Sequence, residues 1–307
     1  MSLLVVGTVA FDAIETPFGK TDKITGGSGN YICHAASRFM HDMKLVSVIG
    51  SDYDQNELNW LKNAGVDLAG VEVKEGKKSF FWSGRYHLDM NSRDTLETQL
   101  NVLEEFDPIL PESYKDSEFL ILGNIEPSLQ RKVIEQMNKR PKLIVLDTMN
   151  FWMDIALDSL MQTLKLVDVL VVNDSEARQL SGESSLVKAS KKIMKMGPKY
   201  LIIKKGENGA LLFYENRVFF APALPLEEVF DPTGAGDSFA GGFIGHLAAT
   251  KDLSFENMKR AVIFGSAMAS FCVEKFGPDR LKEISDEELA ARVNVFIDLV
   301  DFDIILK

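Results

Sequence analysis

The sequence predicts an α/β fold in which βαβ units surround a mainly parallel central sheet, and two observations lead to this prediction. The first is a set of short apolar runs rich in Val, Ile or Leu, without the polar alternation of half-exposed strands. These runs are residues 3–7, 45–49, 119–123, 143–147, 169–173 and 200–204. The second is a set of helical stretches between them, at about residues 31–39, 57–64, 129–138, 154–166 and 186–196. Strands that alternate with helices are typical of parallel sheets.

The C-terminal third follows a different order. Residues 209–220 predict a β-hairpin whose turn lies near Glu215 and Asn216. Long helices come next, at about residues 235–250, 255–275 and 286–298. We therefore expect no further strand of the sheet after the hairpin.

One segment interrupts the alternation. Residues 71–88 contain the β-type runs Val71-Glu72-Val73 and Ser79-Phe80-Phe81-Trp82, in surroundings too polar for a central strand. We interpret them as part of a small accessory sheet, or lid, within about residues 12–26 and 71–95. The alternative is an ordinary antiparallel edge of the main sheet. Because the sequence has no linker, repeat or low-complexity tract, the prediction is one continuous domain, residues 1–307, with the lid as an excursion.

Composition and charge exclude several classes of function. The 307 residues are 46% hydrophobic, and 34 Lys and Arg against 45 Asp and Glu give a net charge of −11. An acidic protein repels polyanions, so we expect neither a nucleic acid polymer nor a membrane as partner. Two cysteines, four scattered histidines and no long apolar or signal-like segment predict a soluble cytoplasmic protein without a disulfide framework.

The common nucleotide-binding motifs fail in this sequence. Gly19-Lys20-Thr21 is similar to the end of a Walker A loop, but Ile14 occupies the position where that loop requires its first glycine. The dinucleotide-binding fingerprint lacks its third glycine at both Ile32 and Phe239. Any phosphate must therefore be bound by a different local arrangement.

A glycine loop with two aspartates provides such an arrangement. The segment Asp231-Pro232-Thr233-Gly234-Ala235-Gly236-Asp237-Ser238-Phe239 leads into a long apolar helix. Glycines let backbone amides approach a ligand closely, and a helix N-terminus adds free N–H donors and a positive dipole. The loop is therefore a candidate anion site made without Lys or Arg. Asp237 is a candidate general base for a hydroxyl group, although Asp231 or Asp237 could equally be a helix cap.

A second glycine cluster, Gly26-Gly27-Ser28-Gly29-Asn30, lies directly before a predicted helix. Three glycines in four residues indicate either unusual backbone angles or a ligand that approaches closely, and the alternative is a flexible turn. Asp12 follows the first strand, near the carboxyl edge where open parallel sheets bind ligands. Alone, Asp12 is a weak candidate.

Together these residues resemble the PfkB family of carbohydrate kinases, with its ribokinase-like fold, over essentially the whole chain. The C-terminal signature of that family has the form Asp-Thr-x-Gly-Ala-Gly-Asp-x-Phe, from which Pro232 is a mild departure. Each motif stands at a strand end or a helix start. The matching motifs are Gly26-Gly27 with Asn30, Asn173-Asp174-Ser175-Glu176, Lys204-Lys205-Gly206-Glu207-Asn208-Gly209 and the segment 231–239.

The resemblance implies a three-layer α/β/α sandwich with a mainly parallel sheet and a small β lid. It also implies an ATP-dependent phosphotransferase that acts on a hydroxyl group. Asp237 would be the general base, and the amides of Gly234, Ala235 and Gly236 would form the anion hole for the transferred phosphoryl group.

The other matching positions imply binding roles. Asn173 and Glu176 would position Mg²⁺, through water, and the triphosphate. Asp231 matches a position that helps to bind a monovalent cation in some relatives, which makes K⁺ a further candidate. The nucleotide would contact Lys204, Gly206, Gly209 and Thr233. The substrate would contact Asp12, Gly27 and Asn30, with Trp82 and Arg85 from the lid. A homodimer through the lid is also implied.

The acceptor of the phosphoryl group stays open between two main alternatives. A small sugar is the leading one, and a nucleoside is close behind because nucleoside kinases of the family share every motif. Ribose itself is not assigned, since Ser28, Gly29 and Asn30 differ from the ribokinase form of the first motif. Phe11, Tyr31 and Trp82 could stack on a base or belong to the core. A silent binding protein is a third alternative, against which the retained Asp237 argues.

Overall fold

The computed structural model describes residues 2–301 and 303. Residues 1, 302 and 304–307, which the predicted domain includes, lie outside the described residues. The strands are β1 (Leu3–Val6), β2 (Ala10–Thr16), β3 (Gly19–Lys20), β4 (Ile24–Gly26), β5 (Met43–Gly50), β6 (Val66–Lys74), β7 (Phe81–Tyr86), β8 (Arg93–Gln99), β9 (Phe119–Leu122), β10 (Leu143–Asp147), β11 (Val169–Asn173), β12 (Tyr200–Lys204), β13 (Ala210–Tyr214) and β14 (Arg217–Ala221).

The helices alternate with the central strands and then follow one another at the C-terminal end. They are α1 (Ser28–Ala36), α2 (Gln55–Asn63), α3 (Pro127–Glu135), α4 (Asn150–Ile155), α5 (Leu157–Leu164), α6 (Asp174–Ser181), α7 (Leu186–Met194), α8 (Ala235–Thr250), α9 (Phe255–Cys272), α10 (Asp279–Glu283) and α11 (Asp286–Asp298). Within the described ranges, no helix is both long enough and apolar enough to cross a bilayer.

Nine strands form the central sheet, in the order β14-β13-β12-β11-β10-β9-β1-β5-β6. The strands from β12 to β6 in this order pair in parallel. The predicted hairpin is confirmed as β13 and β14, which add antiparallel strands at one edge. Glu215 in its turn has a φ of 51°. The predicted mainly parallel sheet is therefore confirmed.

The two faces of this sheet are covered by different helices. Leu3 and Val5 of β1 belong to a core that also contains residues of α1, α8 and α9. Leu4 and Val6 belong to a second core with residues of α3, α5 and α7. Because successive side chains of a strand point to opposite faces, this alternation places the sheet between two helical layers. The three-layer α/β/α sandwich is confirmed.

A second, smaller sheet has the order β3-β2-β7-β8, with β4 paired to β2. Its strands lie within residues 10–26 and 81–99, and we call it the lid. The assignment of Val71-Glu72-Val73 to the lid was wrong, because these residues belong to β6 and pair in parallel with β5. β6 is the edge strand of the central sheet, and partial exposure there explains its polar composition.

Two helical predictions are corrected by the structure. The predicted helix 154–166 is two helices, α4 and α5, separated at Ala156, whose φ of −140° is not helical. Helix α6 was not predicted. Its start carries a sequence signal, since Asn173 and Glu176 form a capping box. The predicted bounds of α8 and α11 are confirmed, and α9 ends at Cys272.

Candidate active site

The predicted glycine loop begins α8 without a side-chain cap. Gly234 is the N-cap with a φ of 75°, and a Cβ there would collide with the ring of Tyr31. Only glycine fits both demands. The N–H of Ala235 donates to the carbonyl of Pro232 at 3.2 Å. Of the three predicted donors, Gly234 and Gly236 thus keep N–H groups without a partner in the described part of the chain.

Asp237 lies in the first turn of α8 and is partly exposed. An ionised Asp237 would repel an anion bound at this loop, so the protonation state of its carboxyl group matters. Burial of the carboxyl group, together with the negative charge of Asp147, raises the pKa of Asp237 to about 7. The charges of Lys204 and Arg93 act in the opposite direction. A carboxyl group with a pKa near neutrality can accept a proton from a hydroxyl group.

Lys204 reaches the same loop from the carboxyl end of β12. Its Nζ lies 3.8 Å from Oδ2 of Asp147, which ends β10. A Cβ on Gly236 would lie 2.7 Å from that Nζ, so the ammonium group packs against the loop backbone. Asp147 is buried, and its Oδ1 accepts the N–H of Thr148 at 3.0 Å. Strand ends β10 and β12 thus bring an ion pair to the start of α8.

Asn173 and Glu176 connect β11 to α6. The Asn173 side chain accepts the N–H of Glu176, and Glu176 Oε2 accepts the N–H of Asn173, each at 2.7 Å. Burial raises the pKa of Glu176 to about 7, although the positive charge of Lys204 acts to lower it. One oxygen of Glu176 is used in this box, and Oε1 stays available to a hydrated cation.

The glycines of the third motif shape a tight turn after β12. Gly206 has a φ of 54° and Gly209 a φ of 76°. A Cβ on Gly209 would collide with the carbonyl of Ala221, and a Cβ on Gly206 would collide with the Asn91 side chain of the lid. The turn therefore lies in contact with the tip of the lid.

Asp12, Gly27 and Asn30 lie on β2 and at the start of α1. Asp12 is buried, and burial, with the charges of Asp231 and Asp237, raises its pKa to about 8. The N–H of Gly27 donates to it, and Gly27 precedes α1 with a φ of 95°. Both amide atoms of Asn30 are fully buried, and neither has a partner among the described residues. Such atoms are expected to meet a ligand.

Asp231 and Thr233 hold the loop in place. Asp231 is fully buried, and its two oxygens accept the N–H groups of Thr233 at 2.8 Å and Gly277 at 3.0 Å. Both oxygens thus have protein donors. The Thr233 hydroxyl donates to the hydroxyl of Tyr86 in the lid at 3.2 Å.

The inner face of the lid presents Trp82 and Arg93. Asp12 pairs with Trp82 across β2 and β7, and the Arg93 guanidinium lies 5.5 Å from the Trp82 ring centre. Arg85 is not brought to the site, since it lies on the opposite face and donates to Glu15 at 2.7 Å. Of the three aromatic candidates, Phe11 and Tyr31 are buried in the core, while Trp82 stays partly exposed.

The arrangement fits a nucleoside triphosphate with Mg²⁺. The free amides of the loop and the ammonium of Lys204 suit phosphate oxygens, and Glu176 suits a hydrated cation. No cluster of three metal-ligating side chains is preassembled among the residues described here.

Sequence reasoning missed Asp147 and Tyr86. Asp147 ends a predicted buried strand, so the rule that ligands bind at carboxyl strand ends could have found it. Tyr86 carried no such signal, because its contact with Thr233 depends on how the lid folds over the loop.

Comparison with known proteins identifies the family. The model of the pfkB family carbohydrate kinases matches residues 2–284. This chain belongs to that family. The kinase is 27% identical to a cytidine kinase of Thermococcus kodakarensis, over 90% of this chain and 98% of the relative.

Two further matches agree. A nucleoside kinase of Methanothermobacter thermautotrophicus is 25% identical over 90% of each chain. Among solved structures, an E. coli protein classed provisionally as ribokinase II, in complex with ATP and Mg²⁺, superposes with a TM-score of 0.78. It is 20% identical and is covered over 99% of its length, with 97% of this chain. The fold of this PfkB kinase is therefore the ribokinase fold.

Proposed function

We propose that this PfkB kinase transfers the γ-phosphoryl group of ATP to a hydroxyl group of a nucleoside. The observation that carries the proposal is Asp237, a carboxyl group of raised pKa at the uncapped start of a buried helix. Asp237 interacts electrostatically with Asp12 on the proposed acceptor side and with Lys204 and Glu176 on the proposed phosphate side.

Each group of site residues has a separate role in the proposed phosphoryl transfer. Asp237 accepts the proton of the acceptor hydroxyl group, and the oxygen of that hydroxyl group bonds to the γ-phosphorus. The bond between the γ-phosphorus and the bridging oxygen of ADP breaks at the same time. The N–H groups of Gly234 and Gly236 stabilise the charge on the transferred group. Mg²⁺, when bound, would neutralise the phosphate charge, and Glu176 and Asn173 would position it through water. Gly206 and Gly209 would shape the turn that contacts the nucleotide.

The acceptor would bind beneath the lid. Asp12 and the unpartnered amide of Asn30 are suited to vicinal hydroxyl groups of a ribose, and Gly27 holds the Asp12 carboxyl group through its N–H. Trp82 would stack on the base, with the Arg93 guanidinium beside it. The names of the cytidine and nucleoside kinase relatives support this choice of acceptor.

A free sugar is the second candidate. Its support is that Phe11 and Tyr31 are buried in the core, which leaves Trp82 alone among the three candidate aromatic side chains to contact a base. The description of the family as carbohydrate kinases favours it as well.

An acceptor survey tests the function. ADP release would be measured with ATP and Mg²⁺ across cytidine, uridine, adenosine, inosine, ribose and fructose, with Asp237→Asn as the inactive control. We expect a nucleoside to give the highest kcat/KM, and Trp82→Ala to lower it mainly through KM. Highest turnover with a free sugar would replace the nucleoside by the second candidate. Ligand-dependent thermal shifts without ADP release would instead indicate a silent binding protein.

We also propose that each chain forms a single kinase domain. Two copies of the chain would pair through their lids. The exposed side chains of Leu96 and Leu100, on and after β8, support this pairing. Light scattering that gives the mass of a monomer at micromolar concentration would contradict it.

A further inference from the structure

The ion pair of Lys204 and Asp147 lies at the edge of the central sheet, next to the loop that begins α8. Lys204 ends β12 and Asp147 ends β10, so they lie on either side of β11 at the same edge of the sheet. Their charged atoms are 3.8 Å apart, and the Lys204 side chain is only 18% exposed. Holding an ammonium group in such a place requires a partner, because burial disfavours its charge.

Gly236 shows what the ammonium group faces. The backbone of Gly236 is ordinary helix without a positive φ, so conformation does not require glycine there. A Cβ at this position would instead lie 2.7 Å from Lys204 Nζ. Nζ therefore lies beside the backbone of Gly236, whose N–H is one of the two free donors of the loop. A phosphoryl oxygen bound at this loop would be within reach of both kinds of donor.

The charges around Lys204 keep it protonated. Burial lowers its pKa, but the carboxylates of Asp147, Glu176 and Asp237 outweigh burial and raise the pKa above its ordinary value. The group is thus a cation at neutral pH. Three acidic groups surround this one ammonium group, and a divalent cation that arrives with the triphosphate would favour their ionised forms.

We propose that Lys204 is a catalytic residue whose ammonium group contacts the transferring phosphoryl group, and that Asp147 is the positioning residue that holds it there. This inference rests on the proposed phosphotransferase function. In the transfer step the oxygen–phosphorus bonds exchange as described above, the proton moves to Asp237, and Lys204 stays protonated. Lys204 thereby acts on the phosphoryl group itself and not on the base of the nucleotide.

The alternative is a purely structural ion pair, and the chain supplies a matched control for it. Lys199 precedes β12 at the opposite end, and its Nζ lies 3.7 Å from Oδ1 of Asp168. This pair has nearly the same separation but lies far from the loop, with the lysine 71% exposed. Lys199→Met therefore removes an equivalent contact without touching the site.

Steady-state kinetics with the best acceptor from the survey provides the first test. We expect Lys204→Met to lower kcat by about 100-fold or more, which is typical for loss of one preorganised donor to developing charge. The KM of the acceptor should change less than about threefold, because the contact forms with the phosphoryl group. Lys204→Arg should recover part of kcat, and Lys199→Met should match the wild type.

A double-mutant comparison tests the role of Asp147. At a pH where Asp237 is deprotonated in every variant, Asp147→Asn should lower kcat by roughly tenfold, and adding it to Lys204→Met should cause little further loss, since Asp147 then acts through Lys204. Losses that multiply in the double variant would show that Asp147 acts on something else. They would overturn its assignment as the positioning residue.

Binding of a phosphoryl mimic gives a readout that needs no turnover. Calorimetry would compare Mg²⁺–ADP with Mg²⁺–ADP plus aluminium fluoride, a mimic of the transferring group. We expect fluoride to tighten binding to the wild type and to Lys199→Met, and to have little effect on Lys204→Met. Thermal unfolding of each variant would confirm that it is folded.

The outcomes separate the inference from the function on which it rests. Turnover by the wild type with kcat unchanged in Lys204→Met overturns the inference and leaves the kinase assignment intact. Fluoride tightening that persists in Lys204→Met, or is absent from the wild type, also overturns it. Lack of turnover by the wild type with every acceptor would count against the proposed function, while the calorimetry still decides the inference.

Discussion

The hydroxyl of Thr233 donates a hydrogen bond to the hydroxyl of Tyr86, 3.2 Å away, and so ties the lid to the loop that begins α8. A second contact lies at the tip of the lid, where Asn91 packs against Gly206 of the nucleotide-side turn. The lid therefore touches both the loop before α8 and the turn after β12. Under the proposed function, closure of the lid would couple binding of the acceptor to that of the nucleotide.

Tyr86→Phe removes the first of these contacts while keeping the aromatic ring. One hydrogen bond contributes about 0.5–1.5 kcal/mol, so we expect the KM of the acceptor to rise roughly two- to tenfold, with kcat little changed. Initial-rate kinetics at saturating ATP would measure it. An unchanged KM would mean that this contact does not hold the lid closed.

The pKa of Asp237 predicts the pH dependence of activity. Burial and the charge of Asp147 raise that pKa to about 7, and a general base must be deprotonated to act. We therefore expect kcat/KM to fall about tenfold per pH unit below pH 7. Asp147→Asn removes a neighbouring negative charge and should move this acid limb to lower pH. A flat profile from pH 5 to 8 would contradict the prediction.

Asp12 is expected to lower the stability of the free protein at high pH and to strengthen binding of the acceptor. Its pKa is raised to about 8 in the folded state, so its contribution to stability is full below about pH 4 and is lost as pH rises toward 8. Asp12→Asn should therefore raise the melting temperature of the free protein more at pH 8 than at pH 5. It should also weaken acceptor binding at least tenfold. Scanning calorimetry at the two pH values and acceptor titration would check both effects.

A buried ion cluster away from the site gives a contrasting prediction. Burial would raise the pKa of Glu57, but hydrogen bonds from His34 and Lys282 outweigh it and lower that pKa to about 2. Its stabilising contribution is thus present above about pH 4.5 and is lost as pH falls toward 2. Glu57→Gln should destabilise the fold by about 3 kcal/mol near pH 7 without lowering kcat. The exposed Glu256→Gln provides the control, and chemical denaturation measures both.

Much of the fold could be predicted because its signals are local. Each interior parallel strand is buried on both faces, so it appears in the sequence as a continuous apolar run. The start of α8 is also local, since one segment contains both its loop and its first turn. Edge strand β6 could not be assigned in this way. It is half exposed, and its polar residues are equally compatible with the main sheet or the lid.

Candidate site residues could be predicted where a single segment contains both the loop and the start of the helix. They could not be predicted where the fold brings together residues from distant parts of the chain. Asp237 and Gly234 became candidates from the loop sequence itself, whereas Asn173 became one through the family resemblance. Arg85 lies three residues after Trp82 on a regular strand, so alternation along β7 already places it on the outer face. The placement of Arg93 on the inner face depends on a register shift between β7 and β8, which no local pattern encodes. Asp147 likewise gains its role only from the distant Lys204.

The measurement that tests the central claim most directly is the turnover of Asp237→Asn, made with the best acceptor and saturating Mg²⁺–ATP. If Asp237 takes the proton of the acceptor, the variant should lose at least 100-fold in kcat while its ATP affinity stays nearly unchanged. A variant that keeps more than about a tenth of the wild-type kcat would show that another group is the base.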